Sequence, residues 1–207
     1  MSLLEIEGIE TAALPAPIGP NANGMLMTAE EYDSADDWVD GYRYELIHGV
    51  LIVSPPAGIG ERSPNDYLGY LLINYQESHA KGDALDGTAP EQEITIGQAR
   101  RRADRAIWVG LGRPPKPLQD TPAIAIEFVS ESKRDRQRDY VEKRAEYASA
   151  GIKEYWVFDR FGRSMTVFRG PEEIVVVKEG GVYTTPLLPG FELPIDKLLA
   201  RADQYAE

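Results

Sequence analysis

Four polar side chains in the second half of the chain have the types and spacing of a small hydrolytic site. Glu127 interrupts an apolar run from Ala123 to Val129 that is rich in β-formers. A buried carboxylate costs several kcal/mol unless it is paired, protonated or bound to a cation. Asp139, Lys143 and Tyr147 follow at intervals of four residues and therefore share one face of a helix. We expect the four side chains to share one site.

The elements that position these side chains are predicted to be a strand, a helix and a second strand. The stretch from Asp135 to Ala150 contains no glycine or proline, and Gly151 suits the left-handed residue that ends a helix. A second β-rich run extends from Ile152 to Phe158. Short loops on both sides of the helix favour a βαβ unit with parallel strands.

Asp104 is the acid expected to join Glu127. It lies on or just before a predicted strand that leads into the loop preceding Glu127. Carboxylates on neighbouring strands can bind one hard cation, Mg²⁺ or Mn²⁺, which polarises a phosphodiester and generates hydroxide from bound water. A nearby lysine would orient that water and stabilise negative charge. The alternative is an ion pair between Asp104 and Arg102 or Arg105 at a strand end.

Composition limits the kinds of site and partner. The 207 residues suit one domain, residues 26–207, after an extended or disordered lead-in, residues 1–25. The absence of cysteine excludes disulfides and thiolate metal sites, and two histidines argue against a multi-histidine zinc site. No apolar run is long enough to span a membrane, and the N-terminus lacks signal features. We therefore expect a cytoplasmic protein without a membrane partner.

The net charge of −12 is unevenly distributed. Residues 1–50 carry ten acidic side chains against one basic side chain, Arg43, whereas the remaining residues carry 24 against 21. Most of the acidity therefore lies outside the expected site. The charge weakens a nucleic-acid hypothesis without removing it.

Basic side chains near the expected site could contact phosphate groups. Arg100, Arg101, Arg102 and Arg105 form a compact cluster, and Lys133 and Arg134 lie near the opening of the helix. The alternative for the arginine cluster is a solvated strand edge that is kept soluble by its charge.

The remaining elements follow from capping, turn and periodicity signals. A capping box at Thr28 to Glu31 predicts a short helix, and His48-Gly49 predicts a hairpin turn. The other predicted elements are a helix over 65–78, strands over 93–96 and 102–109, a loop over 113–122, a β-meander over 164–169, 174–178 and 182–185, and a helix over 195–205.

The chain resembles the Uma-two family of restriction-endonuclease-like proteins, within the PD-(D/E)XK nuclease superfamily. The resemblance is most specific where D-x-x-x-K-x-x-x-Y precedes A-G-I-x-E-Y-W-x-x-D. The matching segments are RYELIHGVLIVSPP around Glu45, RRADRAIWVG around Asp104, IEFVSES around Glu127, DYVEKRAEYASAGIKEYWVFD, and the closing LLPGFELPIDKLL.

The resemblance implies an α/β fold: a mixed α+β sheet on a restriction-endonuclease-like PD-(D/E)XK core, with an N-terminal hairpin and a C-terminal β-meander plus helix. The family's metal site would fall on Asp104 and Glu127, with Glu45 as an additional catalytic acid. Lys143 would stand in for the superfamily's catalytic lysine, whose usual position two residues after the glutamate is Val129 here.

Supporting roles are implied for three neighbours. Tyr147 would hydrogen-bond a carboxylate or a phosphate, Asp139 would hold Lys143, and Ser130 would orient Glu127.

Two positions depart from the family pattern. Ala103 stands where the motif has its proline, which mostly shapes the backbone. Asn65 stands where members often place a histidine.

These features predict a metal-dependent DNA endonuclease that hydrolyses phosphodiester bonds with Mg²⁺ or Mn²⁺ and works as a homodimer, with the exposed meander strands as a candidate interface. One alternative is an inactive nucleic-acid-binding or interaction module of the same fold. It would be favoured by a buried Asp104–arginine pair, whereas convergence of Glu45, Asp104, Glu127 and Lys143 would favour the nuclease. Another alternative is a metal-dependent hydrolase of small phosphate esters, which a narrow closed pocket would favour.

Overall fold

An eight-stranded mixed sheet organises the part of the chain that the structure describes, which is residues 17–130, 140, 142–170 and 172–205. The structure is a computed structural model. Its strands are β1 (Arg43–Ile47), β2 (Val50–Ser54), β3 (Leu85–Ile96), β4 (Ala99–Val109), β5 (Ile124–Phe128), β6 (Glu154–Asp159), β7 (Ser164–Arg169), β8 (Glu173–Lys178), β9 (Val182–Thr184) and β10 (Glu192–Pro194). Its helices are α1 (Ala29–Ser34), α2 (Ile59–Ser78), α3 (Lys143–Ser149) and α4 (Ile195–Asp203). Over the described residues, none of the helices has the length and apolar character needed to cross a membrane.

The strand order confirms the predicted mixed sheet. The main sheet runs in the order β2-β1-β4-β5-β6-β7-β8, and β3 pairs with β4. β5 and β6 are parallel, from Ile124 opposite Glu154 to Phe128 opposite Phe158, whereas β4–β5 and β6–β7 are antiparallel. The chain between β5 and β6 passes through α3, as expected of a βαβ unit.

β4 joins the N-terminal hairpin to the central strands. One of its edges pairs with β3 along nearly its whole length. Two strands share the other edge of β4. Leu46 of β1 pairs with Arg100, and β5 pairs with residues Arg105 to Ile107. Between these two partners, residues 101–104 of β4 border a gap between β1 and β5.

The N-terminal elements form as their local residues predict. Thr28 and Glu31 make the reciprocal hydrogen bonds of a capping box at the start of α1. The turn between β1 and β2 places His48 at φ 51° and Gly49 at φ 75°. A two-residue hairpin turn of type I′ requires positive φ at both central residues, and these two values meet that requirement.

A separate buried cluster lies under the hairpin. It contains Met27, Ala29, Tyr32, Tyr44, Leu46 and Leu51. Ile18 packs against this cluster and forms a β-bridge with Trp38. The end of the predicted lead-in is hydrogen-bonded to the hairpin, because the Gly24 N–H donates to the Leu51 C=O and the Leu51 N–H donates to the Met25 C=O. Residues 1–16 lie outside the described residues.

Three elements begin earlier than the hydrophobic pattern predicts. Helix α2 starts at Ile59 rather than Asn65, and Pro64 lies inside it. Proline lacks a backbone N–H and usually breaks a helix, so Pro64 argues against a helix that begins before it. Strands β3 and β4 were predicted to start at Glu93 and Arg102, but both are longer because they pair with each other along their length.

The last strand predicted for the C-terminal meander pairs elsewhere. β6, β7 and β8 form an antiparallel meander, but β9 pairs with β10 in a separate two-stranded sheet. Buried Glu154 explains the change, because its carboxylate accepts hydrogen bonds from Trp156, Arg169, Tyr183 and Thr185. Tyr183 belongs to β9 and Thr185 follows it, so these bonds hold β9 against buried Glu154 instead of along the edge of β8.

Successive side chains of β5 point to opposite faces of the sheet, and each face has its own apolar cluster. Ile126 and Phe128 enter the larger cluster, which includes residues of α2 and α4. Ala125 and Val129 enter the smaller cluster, which includes a residue of α3. Glu127 shares this second face, because successive side chains of a strand point to opposite sides. The acid therefore lies beneath the helix that carries Lys143.

Candidate active site

Glu45, Glu127 and Lys143 converge at the gap between β1 and β5. Lys143 Nζ lies 2.8 Å from Glu127 Oε1 and 3.8 Å from Glu45 Oε1, and Lys143 is only 1% exposed. The Tyr147 hydroxyl donates to the same Glu127 oxygen at 3.2 Å. Burial, with the Glu127 charge, holds the pKa of Tyr147 well above its ordinary value, so this hydroxyl stays a donor. The four-residue spacing on α3 does bring Lys143 and Tyr147 to Glu127.

The same side chains replace the strand neighbour that β4 lacks at the gap. Glu45 Oε1 accepts a hydrogen bond from the Arg102 N–H at 3.0 Å, and Lys143 Nζ donates to the Arg102 C=O at 3.0 Å. A buried backbone group without a partner costs about as much as a lost hydrogen bond. Glu45 and Lys143 therefore supply hydrogen-bond partners for the backbone of Arg102. They also form an ion pair with each other.

Asp104 lies within β4 and is held by three neighbours. Its Oδ2 accepts the Phe128 N–H at 2.7 Å, and its Oδ1 contacts the Arg43 guanidinium. Asn65 Nδ2 donates to the Asp104 C=O at 2.8 Å. The bond from Phe128 places the Asp104 carboxylate beside the backbone of Glu127, so the two acids predicted as metal ligands lie together. Asn65 thus supports Asp104 at the position where the family often has a histidine.

Arg43 is a site residue that the sequence analysis did not identify. Its Nη2 contacts Asp104 Oδ1, and its Nε lies 3.0 Å from Glu91 Oε2. Burial alone would lower the pKa of Arg43, but Asp104 and Glu91 hold it above its ordinary value. Glu91 itself has φ 49°, a strained value for a residue other than glycine. One signal was present, because Arg43 is the single basic residue among the first 50.

A cavity of about 190 Å³ opens beside the two acids. Its lining includes Arg43, Glu61, Asp104, Glu127 and Ser130. Ser130 thus lies near Glu127, and its role in orienting that acid stays a prediction. Among the described residues, Lys143 and Tyr147 do not belong to this lining, so they position the Glu127 carboxylate without reaching into the cavity. Glu45, which the family resemblance had implied as a catalytic acid, is also outside this lining among the described residues.

Glu61 brings a third carboxylate to the cavity from the first turn of α2. Burial raises the pKa of Glu61 to about 7, and the charge of Asp104 acts in the same direction, while Arg43 and Arg160 oppose both. Glu61 is absent from the predicted site residues because the hydrophobic pattern places the start of α2 after it.

Glu61 is expected to make the stability of the metal-free protein depend on pH. A carboxyl group with a higher pKa in the folded protein binds its proton more tightly there than in the unfolded chain. The free energy of unfolding therefore falls as the pH rises from about 5 through about 7. Glu61→Gln removes this decline, so the variant gains stability relative to wild type between about pH 5 and about pH 8. Urea denaturation with a chelator present measures the difference.

The exposed Glu77 of the same helix provides the control for this experiment. The difference in free energy of unfolding between Glu77→Gln and wild type should be the same at about pH 5 and about pH 8. A Glu61→Gln variant that behaves in the same way would contradict the expected titration.

The oxygen atoms facing the cavity suit a hard divalent cation. Asp104, Glu127 and Glu61 contribute carboxylates, and no histidine or cysteine is among the lining residues. In the part of the chain that the structure describes, no three side chains of Asp, Glu, His or Cys form a cluster able to hold an ion. Mg²⁺ commonly takes one or two carboxylates and keeps several waters, so Asp104 and Glu127 can suffice. An ion bound by Asp104 would compete with the Arg43 guanidinium for that carboxylate.

Two of the arginines predicted to contact phosphate are buried inside the protein. Arg101 is 0% exposed and pairs with Glu146, while Arg105 is 4% exposed and donates to Asn65 Oδ1 at 2.7 Å. Burial lowers the pKa of Arg105 to about 10. A Cβ at Gly69 would lie 2.7 Å from the Arg105 guanidinium, so a larger residue there would require this side chain to shift. In this arrangement both arginines fasten β4 to helices, which corrects the predicted surface role.

The other residues predicted to bind nucleic acid or to support the site are placed less fully. Arg102 is half-buried, and its Nη1 donates to the Glu91 C=O at 3.4 Å. Lys133, Arg134 and Asp139 lie outside the described residues, so their roles stay predictions.

The fold is that of a known nuclease-like structure. The chain matches the crystal structure of a "putative nuclease belonging to DUF820" from Anabaena variabilis ATCC 29413 with a TM-score of 0.67. The match covers 85% of this chain and 99% of the other chain at 15% sequence identity. No curated protein matches the sequence.

The family is shown by the sequence itself. The model of the Uma2 family, described as "Putative restriction endonuclease", matches residues 29–196. This span exceeds half of the chain, and the protein therefore belongs to the Uma2 family, as its motifs predicted.

Proposed function

We propose that the protein is a metal-dependent endonuclease that hydrolyses phosphodiester bonds in DNA. The observation that carries the proposal is the position of Asp104 and Glu127 on neighbouring strands, where both line one cavity. Membership of a restriction-endonuclease-like family supports nucleic acid as the substrate.

The residues around the cavity divide into ligands and positioning residues. Asp104 and Glu127 would hold Mg²⁺ or Mn²⁺, which supplies a Lewis acid and a water of lowered pKa. The Phe128 N–H orients Asp104, and Lys143 with Tyr147 orients Glu127. Because Lys143 is buried behind Glu127, its role in this proposal is to pair with that carboxylate and hold it in place.

The cavity volume bears on the size of the substrate. At about 190 Å³ it is smaller than the roughly 300–1,000 Å³ of common ligand pockets. The cavity therefore fits one phosphate group, with the rest of a DNA strand lying outside it. A small phosphate ester would fit whole, so this observation favours the alternative of a small-ester hydrolase.

The contact between Arg43 and Asp104 favours a different alternative, an inactive module of the same fold. The guanidinium already neutralises one of the two acids that an ion would need. Under this alternative the pair is a permanent structural contact and the cavity binds no metal.

A homodimer forms part of the proposal. Cutting both strands of a duplex takes two sites, and a symmetric dimer supplies two identical ones.

Plasmid cleavage with Mg²⁺ or Mn²⁺ tests the nuclease. Asp104→Asn and Glu127→Gln keep the shape of each side chain and remove its charge, so each should lower cleavage by at least about 100-fold. Asp40→Asn, at an exposed carboxylate, is the matched control and should cut like wild type. All preparations are compared at equal purity.

Other outcomes of this experiment would contradict the site or support one of the two alternative functions. Equal cutting by all variants would show contamination and contradict the assignment of the site. Cleavage of bis(p-nitrophenyl) phosphate without cleavage of plasmid would support the small-ester hydrolase. If no substrate is cut and calorimetry detects no metal binding, the inactive module is correct.

A further inference from the structure

The outer edge of β8 is open in the part of the chain that the structure describes. β8 ends the strand order of the main sheet, and the next strand along the chain pairs with β10 instead. On its inner edge β8 pairs with β7 from Glu173 to Lys178 without a bulge. In an antiparallel sheet, every second residue of an edge strand directs its N–H and C=O groups away from the sheet. β8 therefore presents a regular template for another strand.

The side chains of β8 do little to protect this edge. Edge strands are usually protected by central charges, prolines or bulges. β8 reads EIVVVK, with its charges only at the two ends and no proline. Ile174 and Val176 are 50% and 54% exposed, whereas Val175 and Val177 pack on the main core. One apolar face of the strand is thus left uncovered.

We infer that β8 pairs antiparallel with β8 of a second copy of this chain, about a twofold axis beside Val175. Such an axis is perpendicular to the sheet, so opposed side chains lie on the same face in both copies. Ile174 then lies opposite the partner's Val176, and Glu172, in the turn just before β8, comes opposite the partner's Lys178. The axis repeats each contact, so each exposed apolar side chain gains an apolar cross-strand neighbour and an ion pair closes each end.

The charged residues at the two ends of β8 favour this register and favour a second copy of the chain as the partner. Moving the axis to Val176 would set Glu173 opposite the partner's Glu179, which is a like-charge pair. Moving the axis to Ile174 would set Glu172 opposite the partner's Val176 and leave Lys178 without an opposed acid. Of these three positions, only the axis at Val175 sets Ile174 opposite Val176 and an acid opposite a base at each end, and it leaves Glu173 opposite the partner's Val177. This self-complementarity identifies a second copy, rather than another protein, as the occupant.

Sedimentation velocity of the full chain tests the inference. Wild type should be a dimer, and the double variant Ile174→Lys with Val176→Lys should be a monomer that keeps the wild-type circular dichroism spectrum, with an unfolding midpoint lowered only by loss of the dimer. Ile73→Lys is the control, because Ile73 is 43% exposed on α2, and this variant should remain a dimer. A monomeric wild type, or a dimeric double variant, would overturn the inference.

Charge exchange tests the ends of the interface. Lys178→Glu should raise the dimer dissociation constant at least about tenfold, and the added Glu172→Lys should restore it. A double variant that stays as weak as the single one would contradict the predicted ion pairs.

Engineered cysteines test the register, because the natural chain has none. Opposed positions lie within reach of a disulfide, whereas positions two residues out of register do not. Ile174→Cys mixed with Val176→Cys should therefore cross-link, and neither preparation should do so alone. Cross-linking within one preparation would overturn the register. All of these measurements are independent of activity, so failure of the dimer and failure of the proposed nuclease are distinguishable.

Discussion

Replacing Lys143 with methionine is expected to lower the free energy of unfolding by about 3–5 kcal/mol, the usual effect of removing one partner from a buried ion pair. Lys143 Nζ contacts the carboxylates of Glu127 and Glu45 and the Arg102 C=O, and the side chain is almost fully buried. Methionine fills a similar volume but brings no charge and no donor. Two buried acids would then lose the cation between them. Urea denaturation near neutral pH measures the loss.

The exposed Lys153 provides the control for this prediction. Lys153→Met should change stability by less than about 0.5 kcal/mol, as surface substitutions usually do. Adding Glu127→Gln to Lys143→Met should recover part of the loss, because it removes a buried charge that has lost its cation. A loss of less than about 1 kcal/mol for Lys143→Met would mean that the two acids do not depend on the lysine.

Replacing Arg43 with glutamine is expected to strengthen binding of Mn²⁺ or Mg²⁺ at least about tenfold if Asp104 is a metal ligand. The guanidinium and the ion compete for the same carboxylate, and glutamine removes the competing charge. Calorimetry without DNA measures the change in affinity. The variant should also be less stable than wild type without metal, since Asp104 then loses its buried cation. Saturating metal should restore stability, by about 2.7 kcal/mol at a concentration 100 times the dissociation constant.

Arg113 provides a matched control, because it makes a similar ion pair with Asp120 far from the acids of the site in an exposed loop. Arg113→Gln should leave metal affinity unchanged. If Arg43→Gln loses stability and no metal restores it, the pair with Asp104 is structural and the inactive module is favoured. Metal binding that is equal in wild type and in Arg43→Gln would mean that the ion does not use Asp104.

The strand–helix–strand unit could be predicted because its signals are local. An apolar run containing one acid, a helix without glycine or proline, and Gly151 at its end are read within about 35 consecutive residues. The i, i+4 spacing was then sufficient to bring Lys143 and Tyr147 to Glu127, as the structure shows. The assignment of Asp104 and Glu45 to the same region required the family motifs, since these acids lie far away in sequence.

The partners of the basic residues could not be predicted from local pattern. The charge of Arg101 and Arg105 indicated a solvent-facing cluster, but their burial depends on Glu146 and Asn65, which reach β4 only through the tertiary fold. The same is true of Arg43, whose partner Asp104 is 61 residues away along the chain. A residue pattern gives the face of a strand, whereas the identity of the opposing element depends on strand order.

The short ladder between β1 and β4 has a consequence for local unfolding. β1 pairs with β4 at one register position, and the hairpin has its own small core. A unit held in this way is expected to open by itself at a lower free energy than β5 and β6, which lie in the centre of the sheet. Amide hydrogens of β1 and β2 should therefore exchange faster than those of β5 and β6. Each opening would carry Arg43 and Glu45 away together, so the hairpin sets how often Asp104 and Lys143 meet solvent.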